Sequence, residues 1–289
     1  MADLPPILEV WDFSNPEGTR HRFGGLAERA GREKDYVYQA EAVTQIARCQ
    51  SLQGKFDLAH AVLDGVRTLR GGNHPRVRVR TALERGRTFN SAGDRPAALR
   101  QFRTAWEIAR EHGEDYLAVD AAHMAAIASD LEGAEAWTQK GREAALAAES
   151  TAVLHWLGPL HNNLGWSYHS TGRHADAIEQ FELSREAYRG EGDAVAVLIA
   201  GYAIGKTQRV MGRVEDAVAT QEGLRREFEA RGEEDGYVLE ELALGYAARG
   251  RDAEARAAAA RAGELLGADA RITEREPERL ERLRELAAD

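Results

Sequence analysis

Small and apolar residues recur at helical spacing on both sides of a glycine within residues 160–188. Positions three and four residues apart make up one face of each half: Leu164, Gly165 and Tyr168 before the glycine, and Ala177, Phe181 and Ser184 after it. This spacing places the side chains on one face of an α-helix. Gly172 lies between the halves, and glycine is the residue best suited to end a helix in a tight turn. The pattern predicts a helical hairpin.

Glycines with this predicted role recur along the chain at a nearly constant period. They are Gly54, Gly93, Gly133, Gly172, Gly212 and Gly250, at spacings of 39, 40, 39, 40 and 38 residues. Five of them are followed, at the fifth position, by an alanine: Ala59, Ala98, Ala177, Ala217 and Ala255. The third has Thr138 instead. A steady period of this length indicates stacked helical hairpins.

The hairpins share a second feature, a small residue seven positions before each glycine. These residues are Ala47, Gly86, Ala126, Gly165, Gly205 and Ala243. A small residue there lets the two helices of a hairpin approach closely. Large core residues are predicted nine positions after the glycine at Leu63, Phe102 and Phe181, and Trp137 is predicted to fill this role in the third hairpin.

The fourth hairpin resembles a tetratricopeptide repeat (TPR). Its Leu164-Gly165 pair, Tyr168, Gly172 and Ala177 follow the order of that family's pattern, although the period here is about 40 residues instead of 34. The resemblance covers about residues 35–267. It implies an all-α fold, a right-handed α-solenoid of about six helix-turn-helix repeats with terminal capping helices.

The segments outside the repeats are predicted from local signals. Residues 1–34 are expected to form an extended segment followed by a helix over residues 16–30, because Pro5 and Pro6 oppose helix and Ser14 is followed three residues later by Glu17. Residues 268–289 are expected to form a capping helix, with a dimerisation helix as the alternative. Two alternatives also stay open for residues 4–13: a latch in the groove of the repeats, or packing over the first helices.

Composition narrows the class of partner. The chain has 38 Lys and Arg against 48 Asp and Glu, a net charge of −10, which disfavours direct binding of nucleic acid or of anionic membrane. Cys49 is the single cysteine, so no intrachain disulfide is possible, and its neighbours predict a buried apolar residue. The N-terminal residues do not match a secretory signal, and no apolar run approaches the roughly 20 residues that span a bilayer. The cytoplasm is the expected compartment.

Enzyme motifs do not occur in the sequence. There is no phosphate loop, dinucleotide fingerprint, nucleophile elbow or His-Glu-x-x-His. His161, His169 and His174 lie close together in sequence, but His161 and His169 are eight residues apart, whereas helical ligand pairs stand three or four apart. No catalytic residue, cofactor or metal site is therefore predicted.

The TPR resemblance implies that the first helix of each hairpin lines a concave groove. The candidate groove residues are Arg48, Arg80, Arg87, Asn90, His123, Asn162, Trp166, His169, Tyr202, Lys206 and Arg209. Five are cations, which predicts a basic groove that suits an acidic segment. The asparagines can bond peptide amides, and the indole and phenol rings offer flat apolar contact.

These observations predict a non-catalytic scaffold that binds a peptide or protein segment and has a regulatory role. The alternatives are a self-assembling homo-oligomeric structural protein and a sensor of a small-molecule or peptide signal.

Overall fold

A computed structural model describes residues 4–288 of the chain. That range contains fifteen α-helices and no β-strand, and the predicted all-α class is confirmed. The helices are α1 (Pro16–Glu33), α2 (Tyr36–Leu52), α3 (Phe56–Val66), α4 (Pro75–Ser91), α5 (Arg95–Glu111), α6 (Asp115–Ala128), α7 (Leu131–Ala147), α8 (Leu157–Ser170), α9 (His174–Glu191), α10 (Ala194–Val210), α11 (Val214–Ala230), α12 (Gly236–Ala247), α13 (Asp252–Gly267), α14 (Ala270–Arg275) and α15 (Pro277–Ala288).

The chain divides into two compact units, residues 1–160 and residues 161–289, which we call the N-terminal and C-terminal units. The predicted hairpins appear in order as α2/α3, α4/α5, α6/α7, α8/α9, α10/α11 and α12/α13. The boundary between the units falls within α8, inside the predicted repeat segment. The division into residues 1–34, 35–267 and 268–289 therefore stays a prediction, and its residues 1–3 and 289 lie outside the described range.

Left-handed glycines connect the two helices of five hairpins, as the sequence predicted. Gly54, Gly93, Gly172, Gly212 and Gly250 have φ between 67° and 88°, which a residue with a β-carbon adopts only with strain.

The prediction for Gly133 is wrong. This glycine lies inside α7, because α6 ends early at Ala128 and only two residues separate the helices. Asp130 caps α7, and its side chain accepts a hydrogen bond from the Gly133 backbone N–H at 2.9 Å. A capped start thus replaces the glycine turn in the third hairpin.

Close packing of small against large residues holds the hairpins together. A β-carbon on Gly86 would overlap the Phe102 ring, and one on Gly165 would lie 2.5 Å from the Phe181 ring. Both rings are fully buried. Each glycine therefore leaves the space that a phenyl ring from the second helix of the same hairpin fills, as the sequence pattern predicted.

The chain ends differ from their predicted form in detail. Residues 7–10 form a 3₁₀ turn within the segment expected to be extended, and α1 is capped by Asn15 instead of Ser14, with Asn15 Oδ1 accepting the Gly18 N–H at 2.9 Å. The capping segment of residues 268–289 contains α15, close to the helix expected there, and the short α14 before it; the two are separate because Pro277 cannot continue a helix but can begin one.

Candidate functional site

Predicted groove residues of the N-terminal unit form a network of ion pairs. Glu84 on α4 is buried and accepts hydrogen bonds from Arg48 at 3.2 Å and from Arg87 at 2.8 Å. Arg87 also pairs with Asp120 on α6. Burial, followed by the nearby charge of Arg87, lowers the pKa of Arg48 from its ordinary value, so Glu84 has to balance two crowded cations.

Arg80 is paired in the same way. Its Nε donates to Glu41 Oε1 on α2 at 2.7 Å. Asn90, the remaining candidate on α4, is half-buried. We call Arg48, Arg80, Arg87, Glu41, Glu84 and Asp120 together the ion-pair network. Its three cations and three carboxylates balance, so this face carries no excess of positive charge.

The three carboxylates of the ion-pair network were not predicted from the sequence, although their positions relative to the small residue of each hairpin follow a pattern. Glu41, Arg80 and Asp120 lie six positions before the small residue of their hairpins, and Glu84 lies two positions before it. Side chains at these two positions and at the position after the small residue form what we call the first-helix face. A sequence pattern that includes the positions six and two before the small residue identifies the carboxylates together with their cations.

His123 lies on α6, near the network and against aromatic rings. Its ring centroid is 5.1 Å from that of Trp156. Burial lowers the pKa of His123 to about 4; Asp120 opposes this shift and Arg87 adds to it. The imidazole is therefore neutral at physiological pH and does not contribute positive charge to the face.

Stability should fall between pH 7 and pH 5 because of His123. The unfolded chain binds a proton near pH 6.5, whereas the folded chain does so only near pH 4, so lower pH favours unfolding. We expect this histidine to account for about 1–2 kcal/mol of the loss at pH 5. Urea denaturation at pH 8, 7 and 5 should show a smaller loss for His123→Gln than for the wild type. Equal losses in the two proteins would contradict the expectation.

The C-terminal unit contains an apolar pocket of about 450 Å³. We call it the aromatic pocket, and its lining residues are Trp166, Leu198, Ile199, Tyr202, Phe228, Asp235, Tyr237 and Val238. They come from α8, α10, the end of α11 and the start of α12. The Tyr202 and Tyr237 rings lie 6.1 Å apart in an edge-to-face arrangement. Ile199 is 53% exposed.

Three of the residues that line the aromatic pocket, Trp166, Ile199 and Tyr237, occupy first-helix face positions. Trp166 and Tyr202 were predicted as groove residues, whereas Ile199 and Tyr237 were missed. Both missed residues lie six positions before the small residue of their hairpins, where the N-terminal unit has Glu41, Arg80 and Asp120. The same position thus carries charges in one unit and apolar side chains in the other.

Paired charges lie next to this pocket. Lys206 Nζ is 3.3 Å from the Tyr202 hydroxyl and 3.5 Å from the Glu241 carboxylate, and Arg209 binds Glu241 at 2.6 Å. Burial raises the pKa of Tyr202, so the phenol stays protonated at neutral pH. The predicted cations Lys206 and Arg209 are therefore neutralised in part by a buried carboxylate that the sequence reasoning missed.

The other candidates on α8 provide polar atoms. His169 Nδ1 lies 2.9 Å from the Thr207 hydroxyl, and the His169 ring centroid is 5.3 Å from that of Trp166. Burial lowers the pKa of His169. Asn162 lies one turn before Trp166, and its Oδ1 is buried without a hydrogen-bond partner among residues 4–288. Asn162 can therefore accept a hydrogen bond close to the pocket.

No group of three or more His, Cys, Asp or Glu side chains between Leu4 and Ala288 is arranged to hold a metal ion. In the same part of the chain, none of the helices is both long and apolar enough to cross a membrane.

Comparison with solved structures identifies the fold. The apo form of RapI matches with a TM-score of 0.70 and 10% identity, covering 91% of this chain and 76% of that one. A Rap protein complexed with Competence and Sporulation Factor matches at 0.54 and 11%, covering 89% and 76%. A tetratricopeptide repeat protein from Parabacteroides merdae ATCC 43184 matches at 0.53 and 14%, covering 98% and 97%.

Sequence comparison adds no relative: no protein-family model and no curated protein matches the chain. At 10–14% identity the structural matches show the fold alone. They confirm the TPR-like α-solenoid that the sequence predicted.

Proposed function

We propose that this protein is a non-catalytic binding protein that holds a peptide or protein segment on its first-helix faces, with the aromatic pocket receiving a bulky apolar side chain of that segment. The pocket carries the proposal. Its volume of about 450 Å³ and its aromatic lining are typical of ligand-binding sites. Ile199 lines the pocket and is half exposed, so apolar surface is available to a ligand there. Asp235, its carboxylate, caps α12 by accepting the Val238 N–H at 2.9 Å.

A neutral apolar side chain fits the pocket better than a charged one. Lys206 Nζ already lies 5.7 Å from the centroid of the Tyr202 ring, and the Arg279 guanidinium lies 5.1 Å from that of Tyr237. A cationic ligand would meet these like charges on the two rings.

An acidic ligand has less support than the sequence suggested. The five predicted groove cations each have a carboxylate oxygen within 3.5 Å: Arg48, Arg80, Arg87, Lys206 and Arg209. A ligand carboxylate would have to compete with these existing partners, and the free energy gained would be small.

The similarity to the Rap structures supports a binding role. One of them is a complex with Competence and Sporulation Factor, so a protein with this fold can bind a partner. We propose by analogy that binding has a regulatory output, and we propose the cytoplasm as the compartment.

Selection from a library of random dodecapeptides tests the proposal. We expect the wild type to select peptides enriched in bulky apolar residues. We also expect Ile199→Glu to weaken their binding at least tenfold, since an apolar side chain that enters the pocket would displace water from the new carboxylate; fluorescence anisotropy measures this change.

The matched control is Leu183→Glu. Leu183 is an exposed apolar residue of α9 in the same unit and is not among the pocket residues. This variant should bind the selected peptides as the wild type does. Equal binding by Ile199→Glu would place the site elsewhere. Failure to select any peptide, together with concentration-dependent light scattering, would favour the self-assembling alternative.

A further inference from the structure

The N-terminal segment of residues 5–13 lies against α1 and α2, and we call it the strap. The Tyr38 hydroxyl donates a hydrogen bond to the Pro5 carbonyl at 2.7 Å. Ile7 and Val10 are buried in a cluster with Phe23, Ala27, Ala42 and Cys49. Packing over the first helices, one of the two alternatives left open by the sequence, is thus observed.

The strap also contacts the first-helix face of the first hairpin. The Trp11 indole N–H donates to Gln45 Oε1 at 3.1 Å. The Trp11 and Phe13 rings are stacked 4.8 Å apart, and the Arg48 guanidinium lies 5.4 and 5.6 Å from their centroids. Indole, phenyl and guanidinium groups thus form one continuous contact.

These contacts occupy positions that elsewhere in the chain form the candidate site. Gln45 lies two positions before Ala47, as Glu84 does before Gly86, and Arg48 lies one position after Ala47, as Trp166 does after Gly165. The strap therefore places two aromatic side chains on a face of the kind that we propose binds ligand.

The strap is only partly embedded. Leu8 is 54% exposed and Phe13 is 60% exposed, whereas Ile7 and Val10 face the helices. Two hydrogen bonds join the strap to α2, through Tyr38 and Gln45, and the Asp12 backbone makes two more with the Thr19 hydroxyl of α1. A segment with few buried side chains and few such bonds can open without unfolding the helices beneath it.

We propose that the strap is an autoinhibitory internal ligand, which an extended peptide carrying an aromatic residue displaces from Gln45 and Arg48. The inference rests on the proposed use of first-helix faces for binding, but not on the aromatic pocket. The strap defines its competitor's chemistry: an indole N–H to donate to Gln45, and a flat ring to lie beneath the Arg48 guanidinium.

A labelled synthetic peptide with the sequence of residues 4–14 is the probe, and the full-length protein is its receptor. We expect the Trp11→Ala protein to bind the peptide at least tenfold more tightly than the wild type, because its own strap holds the face less well. The Leu8→Ala protein should resemble the wild type, since Leu8 is exposed on the same strap. A peptide carrying the Trp11→Ala change should not bind.

Equal binding of the probe to wild type and Trp11→Ala, or binding to neither, would overturn the proposal. Hydrogen exchange in the wild type is an independent check: strap amides should exchange at least tenfold faster than those in the centre of α2. Equally slow exchange would make the strap a fixed cap.

Adding Ile199→Glu to the Trp11→Ala protein should leave probe binding unchanged. If the peptide selection fails to support the aromatic pocket while the Trp11→Ala protein still binds the probe more tightly than the wild type, only the proposed pocket is rejected. If the selected peptides bind the aromatic pocket as expected but the probe binds neither protein, only the proposed role of the strap is rejected.

Discussion

Replacing Glu84 by alanine is expected to lower the free energy of unfolding by about 3 kcal/mol, the lower end of the range for breaking a buried ion pair. The carboxylate is buried between Arg48 and Arg87, and its removal leaves two crowded cations without their shared partner. Arg87 keeps Asp120, which is why the loss is not larger. Urea denaturation followed by circular dichroism measures the change.

Asp64 provides the matched control. It pairs with Arg85 at 2.7 Å in the same unit, but its side chain is 73% exposed. Solvent screens such a pair, so Asp64→Ala should cost less than about 1 kcal/mol. A similar loss of unfolding free energy for both variants would show that the burial of Glu84 does not make its ion pairs more important for stability than an exposed pair.

Replacing Phe181 by alanine is expected to cost about 3–5 kcal/mol, the range for deleting a fully buried phenyl ring. The ring lies against Gly165, which has no side chain to move into the vacated space, and its centroid is 5.0 Å from that of Trp166. The cavity would therefore open between the two helices of the fourth hairpin. Urea denaturation measures the loss.

Leu183→Ala, two residues further along α9, is the control for this effect. Leu183 is 42% exposed, so its truncation should change the free energy of unfolding by no more than about 0.5 kcal/mol. If Phe181→Ala cost as little, the pairing of small and large residues would not be what holds the hairpin together.

The candidate site was only partly predictable from sequence. Trp166 and Tyr202 were identified because they follow the spacing of the first helices. Ile199 and Tyr237 were missed because the position six before the small residue was considered only where it carried Arg80. The cations were predicted from the same spacing, but most of their carboxylate partners lie one hairpin away in the chain, so the pairing of their charges was not foreseen.

The sequence alone determined the helical hairpins, their number and the pairing of small with large residues. Those features depend on helix periodicity and on turns between neighbouring segments, which are local. Only the tertiary structure decided which charges are neutralised, that α6 ends without a glycine turn, and that a pocket opens between α8, α10 and α12. The neutralised charges and the pocket depend on how side chains about 30 to 40 residues apart come together when the hairpins pack. The early end of α6 instead accompanies the local Asp130 cap of α7.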